Sequence, residues 1–146
     1  MKIDDVIKSR FNNENHRAVV NLRYTSNWIA SQHNSHLAQF GLSLPQFNVL
    51  RILRGAKEKI SVKIVKDRMI EKSPNTTRLF DKLVEKEYIT RTRCEEDRRV
   101  VYLKISDLGL KVLSKIDAIF EEVNFSDNLS ENEAATLSNL LDKLRG

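Results

Sequence analysis

A chain of 146 residues with 40% hydrophobic and 31% charged residues, four glycines, two prolines and one cysteine suits one domain with helical arms rather than two separate cores. Scarce glycine and proline favour long helices over a turn-rich β architecture, and a lone cysteine excludes an intrachain disulfide and fits a cytoplasmic setting. No apolar run is long enough to cross a bilayer, the segment 1–10 carries Asp4 and Asp5 where a signal peptide is apolar, and glycines at 41, 55, 109 and 146 are too scattered to cradle a phosphate.

Residues 12–40 read as one long helix. Val19, Leu22, Trp28, Ile29, Leu37 and Phe40 fall near helical spacing, with Gly41 as a natural stop. Such a helix outruns a small core, so its spare apolar face is expected to meet another helix or a second subunit. Ser43-Leu-Pro-Gln46 is a capping box that opens a second helix, with Leu42 and Phe47 at the hydrophobic-staple positions. Phe47, Leu50 and Leu53 form its buried stripe, and Gly55 is expected to end it. A third helix follows Ser61, turns Val62, Val65 and Met69 inward, and ends near Ser73 because Pro74 disfavours helical geometry before it. Ser73 as N-cap and Pro74 at the first helical position then open a fourth helix to Glu87, with Leu79, Leu83 and Val84 inward.

The period then changes from helical to alternating. Tyr88–Arg93 and Val100–Ile105 read as the strands of a two-stranded hairpin, with the charged stretch Cys94–Arg99 at its exposed tip. Ser106 caps a fifth helix carrying Val112, Leu113, Ile116, Ile119, Phe120 and Val123. A second capping box, Ser130–Glu133, opens a sixth with Leu137, Leu140, Leu141 and Leu144.

Helix, short helix, tight turn, helix and hairpin over residues 43–105 spell a winged helix-turn-helix. The fold class is therefore mainly α with a small β-hairpin. The net charge of +5 divides as +2 over residues 1–50, +7 over 51–104 and −4 over 105–146. The basic middle suits a polyanion, although a solvated mixed-charge surface explains it equally well.

In such a motif the second helix enters the major groove, where base edges are distinguishable, and its N-terminal residues reach them. Here those are Ser73, Asn75, Thr76, Thr77 and Arg78, with Lys82 a turn further on. The plainer alternative is that Ser73, Thr76 and Thr77 only cap and decorate a helix start. Arg91, Arg93, Arg98 and Arg99 cluster on the hairpin, where a guanidinium gains from the negative potential of a narrow minor groove. Glu95, Glu96 and Asp97 oppose that role. Asp97 is reconciled with it as a partner that fixes the fork of Arg99, and the two glutamates are expected to face solvent.

Asp97-Arg-Arg-Val-Val-Tyr-Leu-Lys-Ile-Ser106 resembles the wing of the multiple-antibiotic-resistance regulator (MarR) family. Leu44–Leu50 is similar to the helix before its helix-turn-helix, and Thr77–Val84 running into Glu87-Tyr88-Ile89 is similar to its recognition helix and exit. The likeness follows nearly the whole element order and is specific in sequence over about residues 42–110. It implies a bacterial or archaeal transcription factor, usually a homodimeric repressor released by a small ligand or oxidant. It also implies that Asp97 and Arg99 are the wing pair and that Thr77 and Arg78 read bases. On this reading residues 1–146 form a single unit, with 42–106 the DNA-binding lobe and 1–41 and 107–146 the dimerisation helices. Val19, Val112, Ile116, Ile119, Leu137 and Leu141 are the expected interface residues. A two-fold dimer places its recognition helices about one DNA turn (~34 Å) apart, so the operator should be a near-palindrome.

Other residues admit a sharper and a plainer reading. Cys94, beside Arg93 and Arg98, is expected to be an acidified thiol. The thiol sensors of the resembled family carry their cysteine near the start of the first helix, and none stands there. His33 and His36 have a spacing able to share a metal, but no further ligand is near in sequence. Tyr24, Trp28 and His36 are candidates for lining a small-molecule effector pocket; aromatic residues at helical spacing equally serve a core. No nucleophile–base pair, metal set or cofactor motif supports an enzyme. The rival function is a winged-helix protein- or RNA-interaction module without sequence-specific DNA readout.

Overall fold

Helices Glu14–Leu37, Leu44–Ala56, Val62–Arg68, Asp107–Glu122 and Glu131–Arg145 each begin at a side chain that caps them. The computed structural model describes residues 1–8, 10–72, 74–123 and 127–146. A one-turn helix not expected from the sequence, α1 (Ile3–Val6), precedes α2 (Glu14–Leu37). The Arg17 guanidinium grips the Asp4 carboxylate at 2.6 and 3.1 Å and ties the two together. A 3-10 turn, Ala38–Phe40, continues α2, and Gly41 closes it with φ 62°.

In α3 (Leu44–Ala56) both bonds of the capping box form. The Gln46 amide donates to Ser43 Oγ at 3.4 Å, and the Ser43 amide donates to Gln46 Oε1 at 3.0 Å. Gly55 does not end this helix. It keeps helical geometry, and Lys57 two residues on takes the left-handed conformation (φ 61°) that stops it. Ser61 caps α4 (Val62–Arg68), which ends well before Ser73.

Helix α5 (Thr76–Glu85) starts two residues later than expected, with Asn75 rather than Ser73 in the N-cap position. Ser73 lies outside the described residues. Strands β2 (Ile89–Arg93) and β3 (Val101–Ile105) form the expected hairpin. A third strand, β1 (Ile60–Ser61), adds to its other edge, pairing Ile60 with Leu103 and Ser61 with Tyr102 in the order β1-β3-β2. Two residues are too few to carry an alternation signal, so only the fold discloses this strand.

Ser106 caps α6 (Asp107–Glu122), and the Ser130 box caps α7 (Glu131–Arg145). The core joins Leu37 of α2, Leu50 and Leu53 of α3, Leu83 of α5, Ile89 and Leu103 of the sheet, and Leu113 of α6. Each such side chain contributes about 1.5–3 kcal/mol when fully buried. Phe80 is also buried, although the sequence reading placed only its neighbours inward.

Val112 and Ile116, expected at a subunit junction, are instead 9% and 1% exposed within this same core. They lie four apart on the face of α6 that packs on α2 and α3, so the chain itself uses them. Helix α7, by contrast, buries no residue, and Leu137, Leu140 and Leu144 are 48, 58 and 59% exposed.

Candidate nucleic-acid interface

The inward face of α5 is set by the helical spacing of Thr76, Phe80 and Leu83, all buried. Thr76 was expected to face outward. At 5% exposure it is the first rung of the buried stripe, because it lies four residues before Phe80, and it is not available to a base. Asn75, Thr77, Arg78 and Lys82 are exposed on the other side. Asn75, Arg78 and Lys82 border one shallow depression beside Ser43 and Gln46.

The wing is braced from within. Asp97 holds Arg99 as a fork: Nε donates to Oδ1 at 3.0 Å and Nη2 to Oδ2 at 3.1 Å, while the Arg99 amide donates to Oδ1 at 3.1 Å. The guanidinium, and then the amide, keep the Asp97 carboxyl below its ordinary range. Arg99 itself is 91% exposed, so the pair orients the side chain and adds little stability.

Arg93 Nη1 donates to the Arg98 carbonyl at 3.2 Å and closes the tip. Arg98, Glu95 and Glu96 are exposed. Arg91 reaches back to Asp81 on α5 at 2.7 Å, an exposed pair that joins the wing to the recognition helix and offsets part of the arginine's charge.

Between α4, the start of α5 and the wing runs a groove of about 920 Å³, bordered by Lys63, Lys66, Thr77, Arg91, Arg93 and Arg99. Lys63 and Lys66 did not figure among the sequence candidates. Their signal was available: they repeat the three-residue spacing of Val62 and Val65 one position on, rotated off the buried face. The Lys72 ammonium donates to the carbonyls of Lys66 and Asp67, 3.0 Å each, and caps the end of α4.

The Cys94 thiol is shifted downward as expected, but not by its arginine neighbours. The amides of Asp97 and Glu96 favour the thiolate first, and the Tyr102 hydroxyl adds to them. His33 stacks on Phe120 with ring centroids 4.6 Å apart, and Phe120 packs edge-on against Phe47. Burial, then the charges of His36 and Arg51, push the His33 pKa down. Among the described residues no group of three or more His, Cys, Asp or Glu stands close enough to hold a metal. Tyr24 and Trp28 are exposed on α2 and His36 is half-buried; none borders the recess between α3 and α6, which is lined by Phe47, Arg51, Arg54, Asp117, Phe120 and Glu121.

Residues 42–101, which hold this whole face up to the first residue of β3, match the model of the MarR family. The Bacillus subtilis regulator YpoP, described as an uncharacterized HTH-type transcriptional regulator, is 37% identical over 105 residues, covering 70% of this chain and 74% of YpoP. A MarR transcription factor from Planctomyces limnophilus superposes with a TM-score of 0.70 at 30% identity, over 93% of this chain and 98% of that one. A mutant Escherichia coli MarR crystallised with operator DNA superposes with a TM-score of 0.74 at 23% identity, over 97% and 96% of the two chains. With its braced wing, outward-facing recognition helix and matching relatives, this chain belongs to the MarR family of winged-helix transcriptional regulators.

Proposed function

We propose that the protein is a homodimeric repressor that binds a near-palindromic operator in double-stranded DNA and is released by a small ligand. The observation that carries the DNA reading is one continuous face. Asn75 at the N-cap of α5, with Thr77 and Arg78 in its first turn, is exposed, and a cationic groove lies between α5 and a wing whose Arg99 is held as a fork by Asp97. An arginine so oriented suits the narrow minor groove, and the short polar and bidentate groups of α5 suit base edges in the adjoining major groove. The E. coli MarR that is similar in fold over nearly the whole chain was crystallised with operator DNA, which supports a duplex as the partner.

Residues 42–106 are the reading lobe, and the flanking helices join two copies. Helix α7 supports the dimer, since a helix with no buried side chain and three exposed leucines has no stable place alone in water. Val19 and Leu22 on α2 are exposed in the same way. Release by a ligand rests on the exposed Tyr24 and Trp28, which a second copy would partly enclose together with His36.

Selection of bound duplexes from a random pool, repeated at several salt concentrations, tests this reading. Enrichment of a two-fold-symmetric motif with half-sites about one helical turn (~34 Å) apart is expected. Equal retention of enriched and scrambled duplexes would overturn it.

A further inference from the structure

We propose that Lys63 and Lys66 of α4 are phosphate anchors for the single sugar-phosphate strand that passes between the recognition helix and the wing. The inference rests on the DNA-binding reading above and deepens it. A helix in the major groove and a hairpin in the adjoining minor groove are separated by one backbone strand, so the protein must leave a channel for it.

The groove of about 920 Å³ lies where that channel has to be. Thr77 and Phe80 of α5 line it, with Arg93 and Arg99 on the wing side and Lys63 and Lys66 on the α4 side. Among the described residues neither lysine is in an ion pair. Arg91, in the same groove, is already committed to Asp81 at 2.7 Å.

Asp67 is the one carboxylate among the described lining residues. The Lys72 ammonium, 3.0 Å from the carbonyls of both Lys66 and Asp67, brings a further cation to that end of α4. Lysine fits the task better than arginine. A compact ammonium on a flexible stem attracts any phosphate oxygen without demanding the fixed geometry of a fork, so it adds affinity without sequence information. The labour is thereby divided: α5 reads bases, and α4 holds the backbone.

The test compares Lys63→Gln/Lys66→Gln with Lys111→Gln/Lys115→Gln, which removes equal charge from exposed positions on α6. Affinity for the selected duplex and for a scrambled one is measured over a range of salt. The α4 variant should lower the log–log salt slope by about 0.9 per lysine on both duplexes, leaving their affinity ratio unchanged. The α6 variant should keep the wild-type slope, and Lys63→Arg/Lys66→Arg should restore it. An α4 variant with the slope of the α6 control, or one that loses affinity for the selected duplex alone, overturns the proposal. Wild-type protein without duplex preference overturns the functional reading as well, and that failure is visible before any variant is made.

Discussion

Two helical glycines should respond to the same substitution with opposite signs. A Cβ added at Gly109 would stand 2.2 Å from the Tyr88 carbonyl oxygen, 2.8 Å from Ile105 Cγ1 and 3.1 Å from the Tyr88 carbonyl carbon. That carbonyl has no freedom to retreat. It accepts the Ser106 amide at 3.0 Å, while the Tyr88 amide donates to the Leu83 carbonyl at 3.0 Å. Helix α6 must therefore back away by roughly 1 Å, a displacement that a close-packed interior resists. Overpacking of this kind costs about 1–3 kcal/mol. The shift also strains the cap in which the Gly109 amide donates to Ser106 Oγ at 3.0 Å, and loss of a cap costs ~1 kcal/mol. Alanine's better helix propensity returns ~1 kcal/mol, so Gly109→Ala should destabilise by about 1–3 kcal/mol. At Gly55 a Cβ meets nothing within 4 Å, and Gly55→Ala should stabilise by about 0.5–1 kcal/mol. Urea unfolding at one fixed protomer concentration measures both, since the proposed dimer would make the midpoint concentration-dependent. A Gly109→Ala protein as stable as wild type would refute the close approach of α6 to the root of the wing.

Arg78→Ala should relax the preference at one base position per half-site, worth about 1–3 kcal/mol of discrimination; uniform weakening on every duplex would assign Arg78 to phosphate instead. Leu137→Asp puts a charge into the exposed stripe of α7 and should shift sedimentation from dimer to monomer at micromolar concentration, and an intact dimer would count against that helix as the interface. His33, whose pKa is lowered chiefly by burial, gives a pH signature. As pH falls below the ordinary histidine value of about 6.5, the unfolded chain takes up the proton before the folded one, so stability rises with pH through that window and its contribution is complete above it. His33→Leu should flatten the rise of stability with pH just below the ordinary histidine value, and an unchanged slope would rule out His33 as the cause.

The caps were the most legible part of the sequence. Ser43, Ser61, Ser106 and Ser130 each accept the amide three residues on, because capping is local chemistry within one turn. The pairing of Asp97 with Arg99 was legible for a similar reason: two residues apart in a tight tip, an acid among arginines has few other ways to be satisfied. Thr76 was misplaced because the sequence reading passed over Phe80: lying four residues before it, Thr76 shares its buried face. Val112 and Ile116 were misassigned for a different reason. An apolar stripe states that a face is covered but not by what, and here α2 and α3 of the same chain cover it.

Residue order alone therefore determined the succession of helices and hairpin, the caps and the polar N-terminal half of the recognition helix, all consequences of interactions spanning a few residues. Only tertiary structure decided that β1 joins the wing, that Asp81 reaches Arg91, and that Lys63 and Lys66 stand across a groove from Arg93 and Arg99. Those relations depend on how elements far apart in the chain pack around a shared core, and no local pattern encodes that distance.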